Sequence, residues 1–204
     1  TKINSKLKKE LSLSEIEFSL FENFPDASVT FSNVLIQESF QNSSDTLLFA
    51  EKGIIKLNIF NVISQDYSVN DVAFNKGVIN IKYNKNGEAN FDILKDSTGE
   101  NNNFELDNLD LTNSRFTFLD EVEKIYASSE IDNINLSLKK EDEKITCNLN
   151  GSLRNDSLVV DGVDYINNKN VSFNSEIEIS DDSIFITSTN LSIGGVDFKN
   201  LNFD

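Results

Sequence analysis

The chain has 204 residues, with 34 acidic against 18 basic side chains, a formal net charge of −16, no histidine and a single cysteine. That balance leaves no basic face for nucleic acid and disfavours docking on an anionic membrane surface. It also removes His-based triads, imidazole pH switching and most zinc sites. Hydrophobic residues make up 38%, below the roughly 45–50% of globular domains, a benchmark that also counts glycine; a thin, long sheet tolerates this better than a compact sandwich.

Residues 1–11, TKINSKLKKEL, place Ile3, Leu7 and Leu11 four apart with lysines between them. This spacing predicts a short amphipathic helix, read as a cap on the end of a sheet in preference to a segment lying near lipid headgroups. Glu15-Ile16-Glu17-Phe18-Ser19-Leu20 then alternates as a strand with one wet face. The only proline, Pro25, marks the turn into the next strand.

The central stretch, residues 24–94, carries the strongest period-two signal: Val29 and Phe31; Ile55, Leu57 and Ile59; Ile79, Ile81 and Tyr83. Phe60-Asn61-Val62-Ile63 breaks the alternation and predicts a short helical crossing near residues 60–64. Gly87-Glu88-Ala89-Asn90-Phe91 reads as a turn followed by another strand start. Residues 96–103, DSTGENNN, are the clearest internal boundary, dividing one domain, 1–204, into halves 1–95 and 104–204.

A small pattern recurs: two alternating apolar residues, an Asn, then two more with the phase slipped by one. It occurs in Val29-Phe31-Asn33-Val34-Ile36, Phe104-Leu106-Asn108-Leu109-Leu111 and Val196-Phe198-Asn200-Leu201-Phe203, and in shorter form in Ile131-Asn133-Ile134-Leu136. Keeping both apolar pairs on one face requires a bulge or bend, whose backbone Asn tolerates. Repeated kinks of this kind curve a sheet. Residues 139–144, KKEDEK, are expected at a hairpin tip, and Asn155-Asp156 and residues 167–170 at further hairpins. Asp181-Asp182 separates Ile177 and Ile179 from Ile184 and Ile186, and Gly194-Gly195 forms a hairpin turn. The expected fold is therefore mainly β: an elongated, curved antiparallel sheet or groove with two short helical pieces.

No catalytic constellation emerges. The carboxylates lie at loop tips and on wet strand faces, the Asp-rich turns lack EF-hand spacing, and no Gly-Lys-Ser/Thr follows the glycine pair. The Asn-x-Ser triplets, such as Asn135-Leu136-Ser137, are those chance supplies in an Asn- and Ser-rich chain. Cys147 falls at an inward alternate position and is expected to be a buried, inert thiol. Neither a run of about 18 apolar residues nor a secretory signal is present, and the absence of methionine points to a fragment or a processed product.

The order of elements in the first half resembles the N-terminal region of the AsmA family. The matching residues are Phe24-Pro25, Leu47-Leu48-Phe49-Ala50 through Leu57, Phe60 to Ile63, and Gly87 with Asn90. AsmA-like proteins, with their TamB and chorein-type relatives, form elongated β-grooves. The resemblance implies a non-enzymatic protein of the bacterial cell envelope that shields acyl chains for inter-membrane phospholipid transport or outer-membrane biogenesis. It also implies a periplasmic location, tethered to the inner membrane by an anchor helix missing from this chain. Implied partners are lipid, the membrane through that anchor, and envelope proteins, with no cofactor and no metal. The candidate groove residues are Ile55, Leu57, Ile59, Ile79, Ile81, Phe116, Phe118, Leu136, Leu138, Ile177 and Ile179. The alternative is a structural or adhesive all-β module whose apolar faces close on each other.

Overall fold

The computed structural model describes residues 4, 7–23, 26–58, 71–93, 104–141, 144–180 and 183–203. The strands are β1 (Glu15–Asn23), β2 (Asp26–Gln37), β3 (Thr46–Asn58), β4 (Asp71–Tyr83), β5 (Phe104–Asp120), β6 (Ile125–Glu141), β7 (Lys144–Val160), β8 (Val163–Ser180), β9 (Ser183–Ile193) and β10 (Val196–Phe203). They lie side by side in chain order in one open sheet, from β1 at one edge to β10 at the other. Strands in substantial contact are sheet neighbours alone, so the described residues form a single layer. The protein exposes 13200 Å², whereas a compact monomer of its mass exposes roughly 9,600 Å².

The all-β expectation holds, with three corrections. The sheet is mixed: β4 and β5 run parallel, Val72 beside Leu109 and Tyr83 beside Asp120, while every other neighbouring pair is antiparallel. A parallel pair needs a crossover of a dozen or more residues, and the stretch between Tyr83 and Phe104 supplies it. That crossover joins the halves 1–95 and 104–204 into one sheet. Second, the described residues contain no α-helix. Residues 7–11 are irregular, held by Lys8 N–H donating to Ile93 C=O at 2.7 Å and by Asn4, whose side chain accepts from Leu11 N–H at 3.1 Å. The one helical feature among the described residues here is a 3₁₀ turn at Asn4, whose C=O accepts from Leu7 N–H at 3.3 Å; residues 8–11 are held by non-helical hydrogen bonds. The crossing expected near residues 60–64, and the boundary at 96–103, lie outside the described residues.

Third, Asn155-Asp156 and residues 167–170 are not hairpins but lie inside β7 and β8. The β7–β8 turn is Asp161-Gly162, both left-handed at φ 49° and 80°, the consecutive pair a two-residue hairpin requires. Gly194-Gly195 is a turn of the same kind, at φ 56° and 88°. Around 139–144 the strands extend further than expected, to the pair Glu141–Lys144.

Strands of up to 18 residues far exceed the usual five or six, and kinks punctuate them. Asn33, Lys76 and Asn113 each adopt a left-handed backbone, at φ 52°, 52° and 49°. By register they lie on one line with Glu51 and Asp132, crossing β2 to β6. The line ends where Asp132 bulges against β7. A second kink opposes Asp156 to left-handed Asn168. Every phase slip read from the sequence coincides with such an irregularity: Asn33 itself, and register shifts spanning Asn108, Asn133 and Asn200.

Candidate functional site

The two faces of the sheet differ in chemistry. Residues directly opposite one another on neighbouring strands share a face, so the register can be followed from edge to edge. One such row runs through all ten strands: Ile16, Phe31, Gly53, Phe74, Leu111, Ile134, Gly151, Phe173, Leu191 and Phe198. Every member is apolar or glycine. A parallel row joins Phe18, Val29, Ile55, Val72, Leu109, Leu136 and Leu149. A third joins Leu106, Leu138, Cys147, Ile177 and Ile186.

Beyond the crease the apolar pattern resumes as Ile36, Leu48, Ile79 and Phe116, with Ile81 beside Phe118. Val34 shows that it resumes on the same face. A Cβ built on Gly53 would meet Phe74 Cε1 at 3.1 Å and Val34 Cγ2 at 3.3 Å, so both side chains lie on the side to which Gly53 would point. The extra residue per strand at the crease keeps the apolar face continuous.

The opposite face is polar over most of β5 to β9, whereas over β2 to β4 it carries Leu35, Phe49 and Val78 in register and Ile54 beside Ala73. Asp110, Asn135, Asn150, Asn174 and Asn190 are in register, with Asn135 donating to Asp110 at 2.8 Å and Asn150 to Asn135 at 3.4 Å. Asn75 donates to Thr112 at 2.8 Å on the same side. A charge cluster, Arg115 with Glu130 and Asp156 and Arg154 with Asp156 at 3.0–3.3 Å, spans β5 to β7.

Of the sequence-derived candidates, Ile55 and Leu136 share one row, and Leu138 and Ile177 share another. Ile179 lies beside Ile145 and Ile184. Ile79 adjoins Phe116 and Ile81 adjoins Phe118 across the parallel pair. Leu57 lies in β3 opposite Ala27, and Ile59 falls outside the described residues. The candidate set left out Phe74, Ile134, Phe173, Leu191 and both edge strands. Extending the alternation past the phase slips would have included them.

The sequence did not show how the upper end is closed. β4 overhangs β3, and the turn after it folds back along the vacated edge. Asn90, 0% exposed, takes the place of a strand residue there. Its side chain accepts from Lys82 N–H at 2.8 Å and donates to Asn80 C=O at 2.8 Å and to Glu38 at 3.3 Å. Glu38 is itself only 3% exposed and accepts from Ser43 Oγ at 2.5 Å and pairs with Lys82 at 3.1 Å. Burial alone would raise the Glu38 pKa, but those hydrogen bonds outweigh it and hold the carboxyl below its ordinary value. The same turn sets Phe91 edge-on to Tyr83, 5.5 Å between centroids, and Tyr83 in turn meets Phe118 at 6.3 Å. A hollow of about 880 Å³ beside this turn is lined by polar and charged side chains, Lys8, Ser39, Gln41, Asn84, Glu88 and Asp92, together with Phe40 and Ala89.

Cys147 is buried between Leu138 and Ile177, as its alternate position predicts, and burial pushes its thiol pKa up. Among the described residues no group of His, Cys, Asp or Glu is placed to hold a metal ion. In comparison with known proteins, no family model matches the chain, and no curated protein or solved structure is significantly similar to it.

Proposed function

We propose that the protein is a non-enzymatic lipid-handling sheet that shields acyl chains along its apolar face, as AsmA-like proteins of the bacterial envelope do. One observation carries this reading: an apolar row crosses all ten strands of a single-layer sheet whose other face is polar over most of β5 to β9. A sandwich would need a second sheet against that row, and the described residues form only one. Each methylene shielded from water contributes about 0.8 kcal/mol, so a long chain is held without any group acting on it chemically. Transport between inner and outer membranes from a periplasmic position, with an inner-membrane anchor and envelope partners, extends the same reading. The alternative is a structural module whose apolar face is closed.

Charge distinguishes the two. In an open face, the carboxylates of Ile55→Asp and Leu138→Asp reach water, so the variants stay folded and lose lipid. In a closed core, an unpaired buried carboxylate costs several kcal/mol, a large part of a domain's roughly 5–15. The test pairs thermal unfolding of both variants with mass spectrometry of lipid extracted from purified protein. Lipid in the wild type and folded, lipid-free variants are expected. A lipid-free wild type with unfolded variants would overturn the proposal in favour of the structural module.

A further inference from the structure

Charge is scarce on the apolar face. Asp120, two residues beyond Phe118, lies there. It is engaged in the β5–β6 turn, accepting from Val122 and Glu123 N–H at 2.9 Å each. The register also places Lys140 and Lys169 on this face. Lys140 lies at the end of β6, two residues beyond Leu138, where the strands give way to the charged turn. Lys169 lies inside the sheet, on β8.

Three successive β7–β8 pairs, Gly151–Phe173, Leu153–Val171 and Asn155–Lys169, run without a register shift, so Lys169 faces as Phe173 does. Asn155 agrees with this facing. It is buried and accepts from Ser129 Oγ at 3.2 Å, and Ser129 lies opposite Phe116. The Asn155 amide donates to Ile166 C=O at 2.8 Å, so the polar pair beside Lys169 is satisfied within the sheet. Lys169 itself is exposed and forms no ion pair or side-chain hydrogen bond with another described residue. Its stem passes Gly194, where a Cβ would meet Lys169 Cδ at 3.2 Å. Apolar rows flank it along the strand: Leu153, Val171 and Ile193 on one side, and Leu158 and Ile166, in register with Phe118, on the other.

We infer that Lys169 is the headgroup anchor of this surface, and that the lipid it selects is a phospholipid of single net negative charge. The phosphodiester sits on the Lys169 ammonium and the acyl chain lies along the flanking apolar rows. This inference rests on the lipid reading above and adds a headgroup preference to it. Charge complementarity selects the occupant. The ammonium is a compact point charge with three donors and suits one negative charge. A zwitterionic headgroup brings its own cation toward the same site, and like charges repel. A doubly charged phosphate monoester favours a bidentate guanidinium, but both arginines of the chain, Arg115 and Arg154, pair with carboxylates on the polar face. Carboxylates across the sheet act weakly here, because a Debye length of about 8 Å at physiological ionic strength limits their reach.

The test titrates the purified, delipidated chain by calorimetry with lysophosphatidylglycerol and lysophosphatidylcholine of the same acyl chain, each below its micelle concentration. Wild type is expected to bind the glycerol lipid about two- to fivefold more tightly, the scale of an exposed charge pair. Lys169→Gln should abolish that preference and leave lysophosphatidylcholine binding unchanged, which also shows the sheet to be intact. Lys169→Arg should keep the preference. Lys52→Gln removes the same charge from the opposite face, where Lys52 lies beside Asn75, and should keep it too. Equal binding of the two lipids by wild type would overturn the inference and leave the lipid reading standing. So would a preference that survives Lys169→Gln, a Lys169→Gln loss shared equally by both lipids, or a preference that Lys52→Gln also abolishes. Binding of neither lipid by wild type would instead count against the lipid reading itself, and the inference falls with it.

Discussion

Gly151 lies where the backbone of the neighbouring strand comes closest: a Cβ there would collide with the carbonyl oxygen of Asn133 and stand 2.9 Å from Ile134 Cα. The cause is the bulge at Asp132, which places an extra residue on β6 with no counterpart on β7. Gly53, its counterpart in the same row, is crowded differently, by the ends of the Phe74 and Val34 side chains at 3.1–3.3 Å. Side-chain ends yield more easily than backbone.

The two glycines therefore respond unequally to one methyl group. Gly151→Ala is expected to cost at or above the upper end of the roughly 1–3 kcal/mol typical of overpacking. Gly53→Ala is expected to cost less than about 1 kcal/mol, because Phe74 and Val34 need shift only a few tenths of an ångström. Urea unfolding of both variants checks the ranking, and equal losses would contradict the placement of the bulge.

The crease makes a backbone prediction separable from packing, because the Asn113 side chain is exposed while its φ is 49°. A β-branched residue is strongly disfavoured there, so Asn113→Val is expected to lose about 1–2 kcal/mol. Asn113→Gly, free of the Cβ penalty, should stay within about 1 kcal/mol of wild type. Denaturant midpoints of the pair measure this difference. If valine is tolerated as well as glycine, the strand is not kinked at Asn113.

Much of this architecture was legible because each kink leaves a trace in the alternation. The slips at Asn33, Asn108, Asn133 and Asn200 could be read because apolar residues on both sides must reach one face. Asn155-Asp156 and residues 167–170 carry the same polar signal without a clear change of phase, so a kink there was taken for a hairpin. Two consecutive left-handed residues, as in Asp161-Gly162, reverse the strand, whereas the single left-handed Asn168 inside β8 only kinks it. The parallel β4–β5 pair left no trace, because alternation is the same whichever way a neighbour runs. Asn90 was visible as the end of a turn, but its burial depends on the overhang of β4 beyond β3, a property of register. The edge-to-edge row was only partly legible for the same reason, since its members come into line through nine separate pairings.

Cys147 tests the register of the apolar face at one atom. It is buried between Leu138 and Ile177, and burial raises its thiol pKa, which lowers the fraction of reactive thiolate. Labelling by a thiol reagent should be slow in native buffer and complete in denaturant. A one-residue slip of β7 would turn the thiol to the polar face, and rapid native labelling would reveal it.

The Glu38 cluster makes stability depend on acid. Burial pushes the Glu38 pKa up, but hydrogen bonds from Ser43, Lys82 and Asn90 and the Lys82 charge more than offset this, and the folded-state value lies below the ordinary 4.5. The folded state therefore binds this proton less readily than the unfolded chain does. Its contribution is complete above the unfolded pKa and is lost as the pH falls through the depressed folded one. Glu38→Gln keeps the shape but cannot ionise. It should be less stable than wild type at neutral pH by about 1–3 kcal/mol, the scale of a buried charged hydrogen bond. That gap should close as the carboxylate of the wild type is protonated. Asn90→Ala strands Lys82 N–H and Asn80 C=O at the same closure, and is expected to lose about 1–3 kcal/mol for each buried group left unpaired. Chemical denaturation of wild type and both variants, from neutral pH to below the carboxylate range, separates the effects. The Gln variant should approach wild type in acid, whereas the Ala variant should remain less stable throughout. Parallel pH profiles for wild type and Glu38→Gln would show that Glu38 is not the group whose ionisation holds this end of the sheet.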